Sequence, residues 1–234
     1  MATKAYSDEH DGALRLTGQG WLAATEPDFA AAMLNLVLWR RYDSGDSIIH
    51  AGDRNGDLLA LVMGSAALTS ALGPADAPVS HIATPVYWFG FAPLITGHGR
   101  IQSCTARSPV LVAHIRQSAM RQLLADNPHY WRWIALLSHL NSEVPINIAT
   151  DLMIRSSSRR CAATLLRVAG CRFADAPPPA IAWTNQEELG GMANMARSTL
   201  NIILGDFESD GLISRGYNQI ILHNPSALRA IADG

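Results

Sequence analysis

The residues with the clearest spacing for chemistry belong to a short amphipathic helix that the sequence predicts after Asn194. Its apolar residues recur at i, i+3, i+4 and i+7 and form the inner face: Leu200, Ile203, Leu204 and Phe207. The same period turns a second set outward, with Arg197 in the first turn and Ser198, Asn201 and Ile202 beyond it. A guanidinium, a hydroxyl and an amide on one exposed face can hydrogen-bond to a polar partner.

A second short helix precedes this one and a hairpin follows it. Thr184-Asn185-Gln186-Glu187 has the Thr-x-x-Glu spacing of a capping box, and Asn194 suits the left-handed backbone of a tight turn. Gly190 and Gly191 predict that another helix crosses closely. Gly216-Tyr217-Asn218 separates two short apolar runs and predicts a β-hairpin. Two helices about a tight turn, followed by a hairpin, are typical of a winged helix-turn-helix whose second helix enters the major groove of DNA.

The charge of the chain limits how such contacts arise. Eighteen basic residues, of which Lys4 is the only lysine, face twenty acidic ones, so bulk positive charge does not drive binding to nucleic acid or lipid. A local patch exists between Met153 and Ala174, which contains five arginines and no acidic residue. The five are Arg155, Arg159, Arg160, Arg167 and Arg172. The run predicts a basic surface beside the helix pair, although such runs are also typical of a plain solvated face.

Other chemistry finds little support in the sequence. The three cysteines have no Cys-x-x-Cys spacing, so neither a zinc site nor an iron–sulfur cluster is encoded, and we expect reduced, buried thiols. No His-x-His cluster, nucleophile motif or phosphate loop is present, and we therefore predict no enzyme. The polar N-terminus lacks the apolar core of a secretory signal, and the long uncharged stretches contain glycine and proline. We expect a cytoplasmic protein without a membrane-spanning helix.

Upstream elements must position the helix pair. Trp21–Arg41 shows helical spacing, after which short apolar runs alternate with glycines up to about Pro109. These runs are Ser47–Ile49, Leu58–Met63, Ala66–Ala71, Val79–Ile82 and Val110–Ile115. They predict an α+β chain: an N-terminal antiparallel β-roll of jelly-roll type, a long helix, and the C-terminal winged helix-turn-helix. The predicted domains are residues 1–117, 118–152 and 153–234, with Ala176-Pro177-Pro178-Pro179 as a stiff linker.

The long helix carries a pattern for pairing with a second copy. Ile134, Leu137, Asn141, Val144 and Ile148 follow a 3-4-3-4 rhythm, which predicts a dimerisation seam. Asn141 either fixes the register of that seam or lies at its hydrated edge. Pro145 removes a helical hydrogen bond, so we expect a kink or break there.

These patterns together resemble a known family. TNQEELGGMANMARSTLNIILGDFESDGLISRGYNQIILHNPSAL is similar to the winged-helix domain of the Crp/Fnr family of bacterial transcription regulators. IRSSSRRCAATLLRVAG resembles the connecting segment of that family, and GDSIIHAGDRNGDLLALVMGSAAL resembles its cyclic-nucleotide-binding-like β-roll. The resemblance implies a homodimer that binds an inverted repeat in double-stranded DNA, with RNA polymerase as a further partner.

Site residues follow from the resemblance one by one. Arg197 matches the recognition arginine of the family, whose guanidinium suits bidentate bonding to guanine, while holding a phosphate is the alternative. Ser198 and Ile202 replace the family's glutamate and second arginine, which predicts a preference for A·T pairs beside the guanine because isoleucine contacts a thymine methyl. The predicted DNA-contacting set also includes Asn201, and it includes Gln186, Thr199 and Arg215 as backbone contacts.

The effector pocket of the family is altered here. Gly90 and Arg100 match the phosphate-binding stretch of the cyclic-AMP-responsive members, but Phe91 stands in place of its glutamate and Ile101 in place of its hydroxyl residue. Each lost hydrogen-bonding partner costs about 1–3 kcal/mol in a buried site, so we predict that cyclic AMP is not the effector. The pocket then either takes an unidentified, more hydrophobic small molecule between Trp88, Phe89 and Phe91, or is filled by side chains. No cofactor is assigned.

Alternative functions stay open at this point. One is a regulator that works without ligand, or that responds to haem through a histidine of the roll or to redox state through Cys104. Two weaker alternatives are a β-roll metal enzyme and a regulator whose winged helix docks another protein. A steep fall of DNA affinity with salt separates DNA binding from both of the latter.

Overall fold

A computed structural model describes residues 2–72, 78–173 and 179–234, with side chains from residue 7 onward. The chain divides into two compact units: residues 1–77 with 83–143, and residues 78–82 with 144–234. The predicted boundaries at residues 117 and 152 stay a prediction. Ala176–Pro178, most of the predicted proline linker, lies outside the described residues.

Three helices open the first unit, and they correct one prediction. They are α1 (Ala2–Gly18), α2 (Gly20–Ala23) and α3 (Pro27–Asn35). The predicted single helix over Trp21–Arg41 is wrong, because α3 ends at Asn35 and Leu38–Tyr42 forms strand β1. Phe29 and Met33 do lie on a buried helix face, but β1 is fixed by pairing with a strand more than seventy residues further on, which periodicity does not show.

A β-roll of two four-stranded sheets follows, and the predicted α+β architecture is confirmed. The strands are β1, β2 (Ser47–Ile49), β3 (Leu58–Met63), β4 (Ala66–Ser70), β5 (Val79–Ala83), β6 (Tyr87–Phe89), β7 (Gln102–Ala106) and β8 (Val110–Ile115). Their orders are β1-β8-β3-β6 and β2-β7-β4-β5. The five predicted apolar runs all form strands, whereas β6 and β7 were not predicted and β1 was predicted as helix.

Strand β3 shows why the roll has two cores. Leu58, Ala60 and Val62 pack against the N-terminal helices, while Leu59 and Leu61 face the space between the sheets. Because successive side chains of a strand point to opposite faces, a strand buried on both faces reads as one continuous apolar run.

The helical part of the first unit leads into the long helix. It comprises α4 (Ala92–Thr96), α5 (Gln117–Asp126), a 3₁₀ turn (Pro128–Tyr130) and the first part of α6 (Trp131–Leu152), whose residues from 144 onward belong to the second unit. Of the kink or break predicted at Pro145, the break does not occur, because α6 continues to Leu152 with Pro145 inside it; the kink stays a prediction. The predicted seam is also corrected in part: Ile134 and Leu137 are buried in the core of their own chain, so they are not free to pair with a second copy.

Asn141 has a role that the sequence did not indicate. Its side-chain amide donates to the main-chain carbonyl of Trp88 at 2.9 Å, which ties α6 to strand β6. Neither proposed role of Asn141 in a dimer seam accounts for this bond.

The second unit contains the predicted winged helix-turn-helix. Its elements are α7 (Ser157–Val168), β9 (Ala180–Ala182), α8 (Gln186–Met192), α9 (Arg197–Ser209), β10 (Ile213–Gly216), β11 (Gln219–Leu222) and α10 (Pro225–Asp233). Strands β10, β11 and β9 form an antiparallel sheet in that order. One core joins the buried faces of α7, α8 and α9, with Leu165, Leu189, Leu200 and Phe207 at its centre.

Candidate nucleic-acid interface

Helix α8 begins with a capping box, one residue later than predicted. The Asn185 side chain accepts from the main-chain N–H of Glu188 at 2.9 Å, and the Glu188 carboxylate accepts from the N–H of Asn185 at 3.1 Å. The predicted Thr184–Glu187 box is therefore wrong. Thr184 is buried instead, and its hydroxyl donates to the carboxylate of Glu188. Asparagine and threonine both cap helices well, so sequence spacing alone did not separate the two boxes.

The turn between α8 and α9 is held by a glycine, an asparagine and a distant arginine. Asn194 has a φ of +47°, as predicted for a left-handed turn residue. A Cβ on Gly190 would lie 3.3 Å from the carbonyl oxygen of Met195 in the turn and 3.7 Å from Cδ2 of Leu200, so α9 does approach Gly190 closely, as predicted. Gly191 instead faces Pro78, not a helix. Arg160 of α7 donates through Nε to the carbonyl of Ala193 at 2.7 Å, which anchors the turn on the helix behind it.

Helix α9 presents the two faces that its period predicts. The inner face is buried, whereas Arg197, Ser198, Thr199, Asn201 and Ile202 are all exposed. Ile202, a large aliphatic side chain, is 67% exposed. The outward face therefore offers both hydrogen-bonding groups and one apolar contact.

A groove of about 430 Å³ runs between the start of α8, the start of α9 and the hairpin β10–β11. It brings three of the predicted residues together: Gln186, Arg197 and Arg215. Thr199 and Asn201 lie on the exposed face of α9 and do not line this groove.

Sequence reasoning missed the hairpin tip as part of this groove. Tyr217 is 92% exposed, and Asn218 has a φ of +53°, which forms the two-residue turn between β10 and β11. The sequence did contain a signal for this contact, namely the aromatic Tyr217 at the tip of a predicted hairpin. An aromatic side chain at a hairpin tip has no core to pack against, so its presence there suggests contact with a partner.

Arg215 is already engaged within the protein. Its Nη2 lies 2.6 Å from Oε2 of Glu208 and its Nε donates to the same oxygen at 2.9 Å. These bonds lower the pKa of Glu208 below its usual value. If Arg215 contacts a DNA phosphate, it does so while paired with Glu208, whose negative charge offsets much of the positive charge of the guanidinium.

The five arginines of the 153–174 run do not form the free basic surface that their sequence suggested. Arg159 donates to the carbonyls of Ala232 and Asp233, and Arg160 donates to carbonyls at the end of α8. Arg167 and Arg172 both pair with Asp151, a carboxylate only 1% exposed. Four of the five arginines therefore stabilise the packing of this unit. Their hydrogen-bond donors are used by main-chain carbonyls and by the carboxylate of Asp151.

Arg197 differs from most arginines of its unit. Of the eight arginines between 151 and 234, only Arg155 and Arg197 have guanidinium groups without a hydrogen bond or ion pair to a described residue. Both are exposed. Arg197 lies in the first turn of α9, where the groove opens.

Among the predicted effector residues of the β-roll, Arg100 is turned inward and contacts Gly90. Arg100 is 7% exposed, and it donates to the carbonyls of Gly90 at 3.1 Å and Asp57 at 3.3 Å. Burial lowers the pKa of Arg100, while Asp53 and Asp57 oppose that shift. Phe91 is buried against the N-terminal helices, whereas Ile101 is 55% exposed, so these two residues have different surroundings.

The aromatic residues expected around that pocket lie in two separate cores. Trp88 packs edge-to-face on Trp21 at 5.0 Å and shares its core with Phe91, whereas Phe89 lies between the sheets. All three side chains are buried, and the choice between a pocket for a small molecule and one filled by side chains stays a prediction.

The three cysteines are buried and none forms a disulfide bond, in agreement with the predicted reduced, buried thiols. Burial raises the pKa of Cys104 and of Cys161 to about 12, so both stay protonated at neutral pH. A thiol is a poor redox sensor in that state, because the thiolate is the reactive form. Among the residues whose side chains are described, no three His, Cys, Asp or Glu side chains cluster as metal ligands would. No described helix is long and apolar enough to cross a membrane.

Two family models match the chain. A Crp-like helix-turn-helix domain matches residues 159–231, and a cyclic nucleotide-binding domain matches residues 39–127. A cAMP-activated global transcriptional regulator CRP from Pasteurella multocida (strain Pm70) is 27% identical over 192 residues, which are 78% of this chain and 88% of that protein.

Solved structures share the fold at low sequence identity. FixK2 from Bradyrhizobium japonicum has a TM-score of 0.70 at 16% identity and covers 83% of this chain and 96% of its own. CLP, a c-di-GMP responsive global regulator from Xanthomonas campestris, has a TM-score of 0.64 at 19% identity, over 84% of this chain and 99% of its own. The P. multocida protein is a transcriptional regulator, and CLP is a global regulator.

Proposed function

This chain belongs to the Crp/Fnr family of transcription regulators, and we propose that it binds an inverted repeat in double-stranded DNA as a homodimer, with Arg197 as its base-reading arginine. In this proposal the two α9 helices of a dimer enter successive major grooves, about 34 Å apart. Activity without cyclic AMP is part of the same proposal.

The observation that carries the proposal is the free guanidinium of Arg197. Most other arginines of the unit bond to carbonyls or carboxylates of the protein, so their donors are already used. Arg197 is exposed at the start of α9 and keeps its donors for an external acceptor. A guanidinium in that position can bond both O6 and N7 of one guanine.

The residues beside Arg197 set the expected sequence preference. Ser198 and Ile202 are exposed next to it, and neither can make the charged base contacts of a glutamate or a second arginine. The methyl groups of Ile202 suit the C5-methyl of thymine. We therefore expect a half-site with one guanine opposite Arg197 and A·T pairs beside it.

Selection of binding sites from random duplex DNA by the full-length protein tests this preference. An enriched inverted repeat with that half-site is the expected result. Enrichment of the half-site usual for the family would contradict the role given to Ile202, and no enrichment would contradict sequence-specific binding.

Affinity measurements on the selected site test the role of Arg197. Arg197→Gln is expected to weaken binding by about 10- to 100-fold per half-site, because a good bidentate contact contributes roughly 1–3 kcal/mol. Arg15→Gln removes the same charge from an exposed position of α1 and serves as the matched control, with no expected change. Fluorescence anisotropy at several salt concentrations gives the second readout, and an affinity independent of salt would rule out DNA binding.

The dimer is proposed to form through the exposed side of α6. Ile146 is 60% exposed there, while Ala135, Ser142 and Ala149 are small, exposed neighbours on the same helix. Ile146→Glu would place a charge in the interface and should shift the protein to a monomer in sedimentation. A dimer that survives this change at low micromolar concentration contradicts the assignment. RNA polymerase stays a predicted partner.

The effector part of the proposal rests on Arg100. Its donors reach the carbonyls of Gly90 and Asp57, so the arginine that would hold a cyclic phosphate bonds to the protein itself. Calorimetric titration with cyclic AMP should give no binding heat, with the CRP of P. multocida as the positive control. Micromolar binding by this chain would contradict the proposal.

A further inference from the structure

The second unit contains a cavity of about 240 Å³ that the proposed function does not use. Its walls come from the C-terminal half of α6, from the end of α7 with the segment after it, and from residue 81. Val144 and Phe173 form apolar parts of the wall, and Asn147, Arg167 and Arg172 contribute polar groups.

Arg167 is the unusual member of this wall. Its side chain is only 7% exposed, and its Nε donates to Oδ2 of Asp151 at 2.9 Å. The other two nitrogens, Nη1 and Nη2, are buried, and no described residue accepts a hydrogen bond from either. An arginine edge left without acceptors in a protein interior is costly, because burial removes its water without replacing it.

The charges around Arg167 leave a positive surplus. Asp151 is shared between Arg167 and Arg172, whose Nε lies 3.5 Å from its Oδ1. Arg172 also pairs with Asp233, but that carboxylate is 63% exposed and its charge is screened by water. Burial and the nearby Arg167 lower the pKa of His81 to about 4, so His81 adds no positive charge at neutral pH. Two guanidinium groups thus face one buried carboxylate.

We propose that this cavity is a binding site for a small monoanionic carboxylate with an apolar body. The planar edge of Arg167 matches the two oxygens of a carboxylate, which would accept from Nη1 and Nη2 together. Val144 and Phe173 supply contact for the apolar part. The buried Asp151 opposes a second negative charge, and the volume lies below the range of about 300–1,000 Å³ typical of sites for drug-sized ligands.

Calorimetric titration of the full-length protein with benzoate tests the site, without DNA and therefore independently of the proposed function. Benzoate is expected to bind once per chain. Benzamide has nearly the same shape without the charge and is expected to bind at least about tenfold more weakly. Equal binding of the two compounds, or no binding of benzoate at millimolar concentration, would overturn the proposal.

Two variants locate the binding. Arg167→Lys keeps a positive charge for Asp151 but removes the Nη1 and Nη2 edge, and it should weaken benzoate binding by about tenfold or more. Arg155→Gln removes a charge from an exposed position just before α7 and should leave benzoate binding unchanged. If both variants weaken benzoate binding equally, the anion is attracted by the overall positive charge of this region and does not bind at Arg167, which would refute the proposed site.

Phe173→Ala provides a variant that keeps every charged member of the ion pairs, although it removes the ring over which the guanidinium of Arg172 lies at 4.9 Å. Phe173 is 67% exposed, so its removal leaves no internal cavity, and the protein should fold normally. The loss of its apolar surface should weaken benzoate binding about three- to tenfold. Unchanged binding in this variant would place benzoate elsewhere and overturn the assignment.

Discussion

Replacing Arg160 with methionine tests whether this arginine stabilises the helix pair or contacts DNA. Nε of Arg160 donates to the carbonyl of Ala193 at 2.7 Å, and Nη1 donates to the carbonyl of Ile154. The first carbonyl lies at the end of α8 and the second lies just before α7. Methionine keeps the aliphatic stem but leaves both acceptors without their donor.

The magnitude follows from these two bonds. A hydrogen bond to a charged group contributes about 1.5–3 kcal/mol, but Arg160 is half-buried and water can partly replace it, so about 1 kcal/mol for each bond is appropriate. We expect the free energy of unfolding to fall by about 2 kcal/mol. With a slope of roughly 2–3 kcal/mol per molar urea, the midpoint should fall by somewhat less than 1 M in circular dichroism.

Arg155→Gln is the matched control for this experiment. Arg155 is exposed, and no described residue accepts a bond from its guanidinium, so its loss should change the free energy of unfolding by less than about 0.5 kcal/mol. DNA binding at a temperature where both variants are folded gives the second readout. Arg160→Met should keep the salt dependence of the parent, whereas loss of a phosphate contact would lower the slope by about 0.9 per contact. An unchanged urea midpoint together with a lowered slope would refute the structural role of Arg160.

Three further predictions concern the cores and the thiols. Gly64→Ala should destabilise the protein by about 2–4 kcal/mol in urea unfolding, because φ is +80° and a Cβ would lie 2.5 Å from the carbonyl oxygen of Pro109; a loss below 1 kcal/mol would contradict this. His81 titrates near pH 4 in the folded protein and near 6.5 when unfolded, so the unfolded state binds more protons between these values. The free energy of unfolding should therefore decline by about 2–3 kcal/mol more between pH 7 and pH 4 than it does in His81→Gln, and parallel declines would refute the shift. Cys104 and Cys161 should not react with a thiol reagent such as dithionitrobenzoate until the protein is unfolded, and rapid reaction of the native protein would show that they are accessible.

Local patterns predicted the winged helix-turn-helix well, because short-range physics specifies it. The inner face of α9 follows from side-chain spacing, and Asn194 and Asn218 occupy turn positions with positive φ that few other residues tolerate. The strands of the roll were also recognised where they are apolar throughout. Strand β1 was not, because its residues fit a helical period and only pairing with β8 makes them a strand.

The candidate site was predicted less completely than the fold. Arg197, Gln186 and Arg215 do line one groove, but the ion pair of Arg215 with Glu208 and the exposed Tyr217 emerged only from the structure. The sequence analysis also assigned Ile134 and Leu137 to a dimer interface, whereas both are buried in the core of their own chain. A 3-4 spacing of apolar residues indicates a packed helix face, but it does not identify the element that packs against that face.

The sequence by itself determined the elements of the winged helix-turn-helix and which face of α9 is exposed, since both depend on residues a few positions apart. The tertiary structure decided what each arginine does. Arg159 reaches a carbonyl 74 residues away, and Arg100 reaches one 43 residues away, so no local pattern could reveal that their donors are used inside the protein. A charge count treats all guanidinium groups alike, whereas the fold leaves Arg197 exposed and buries the unpaired edge of Arg167.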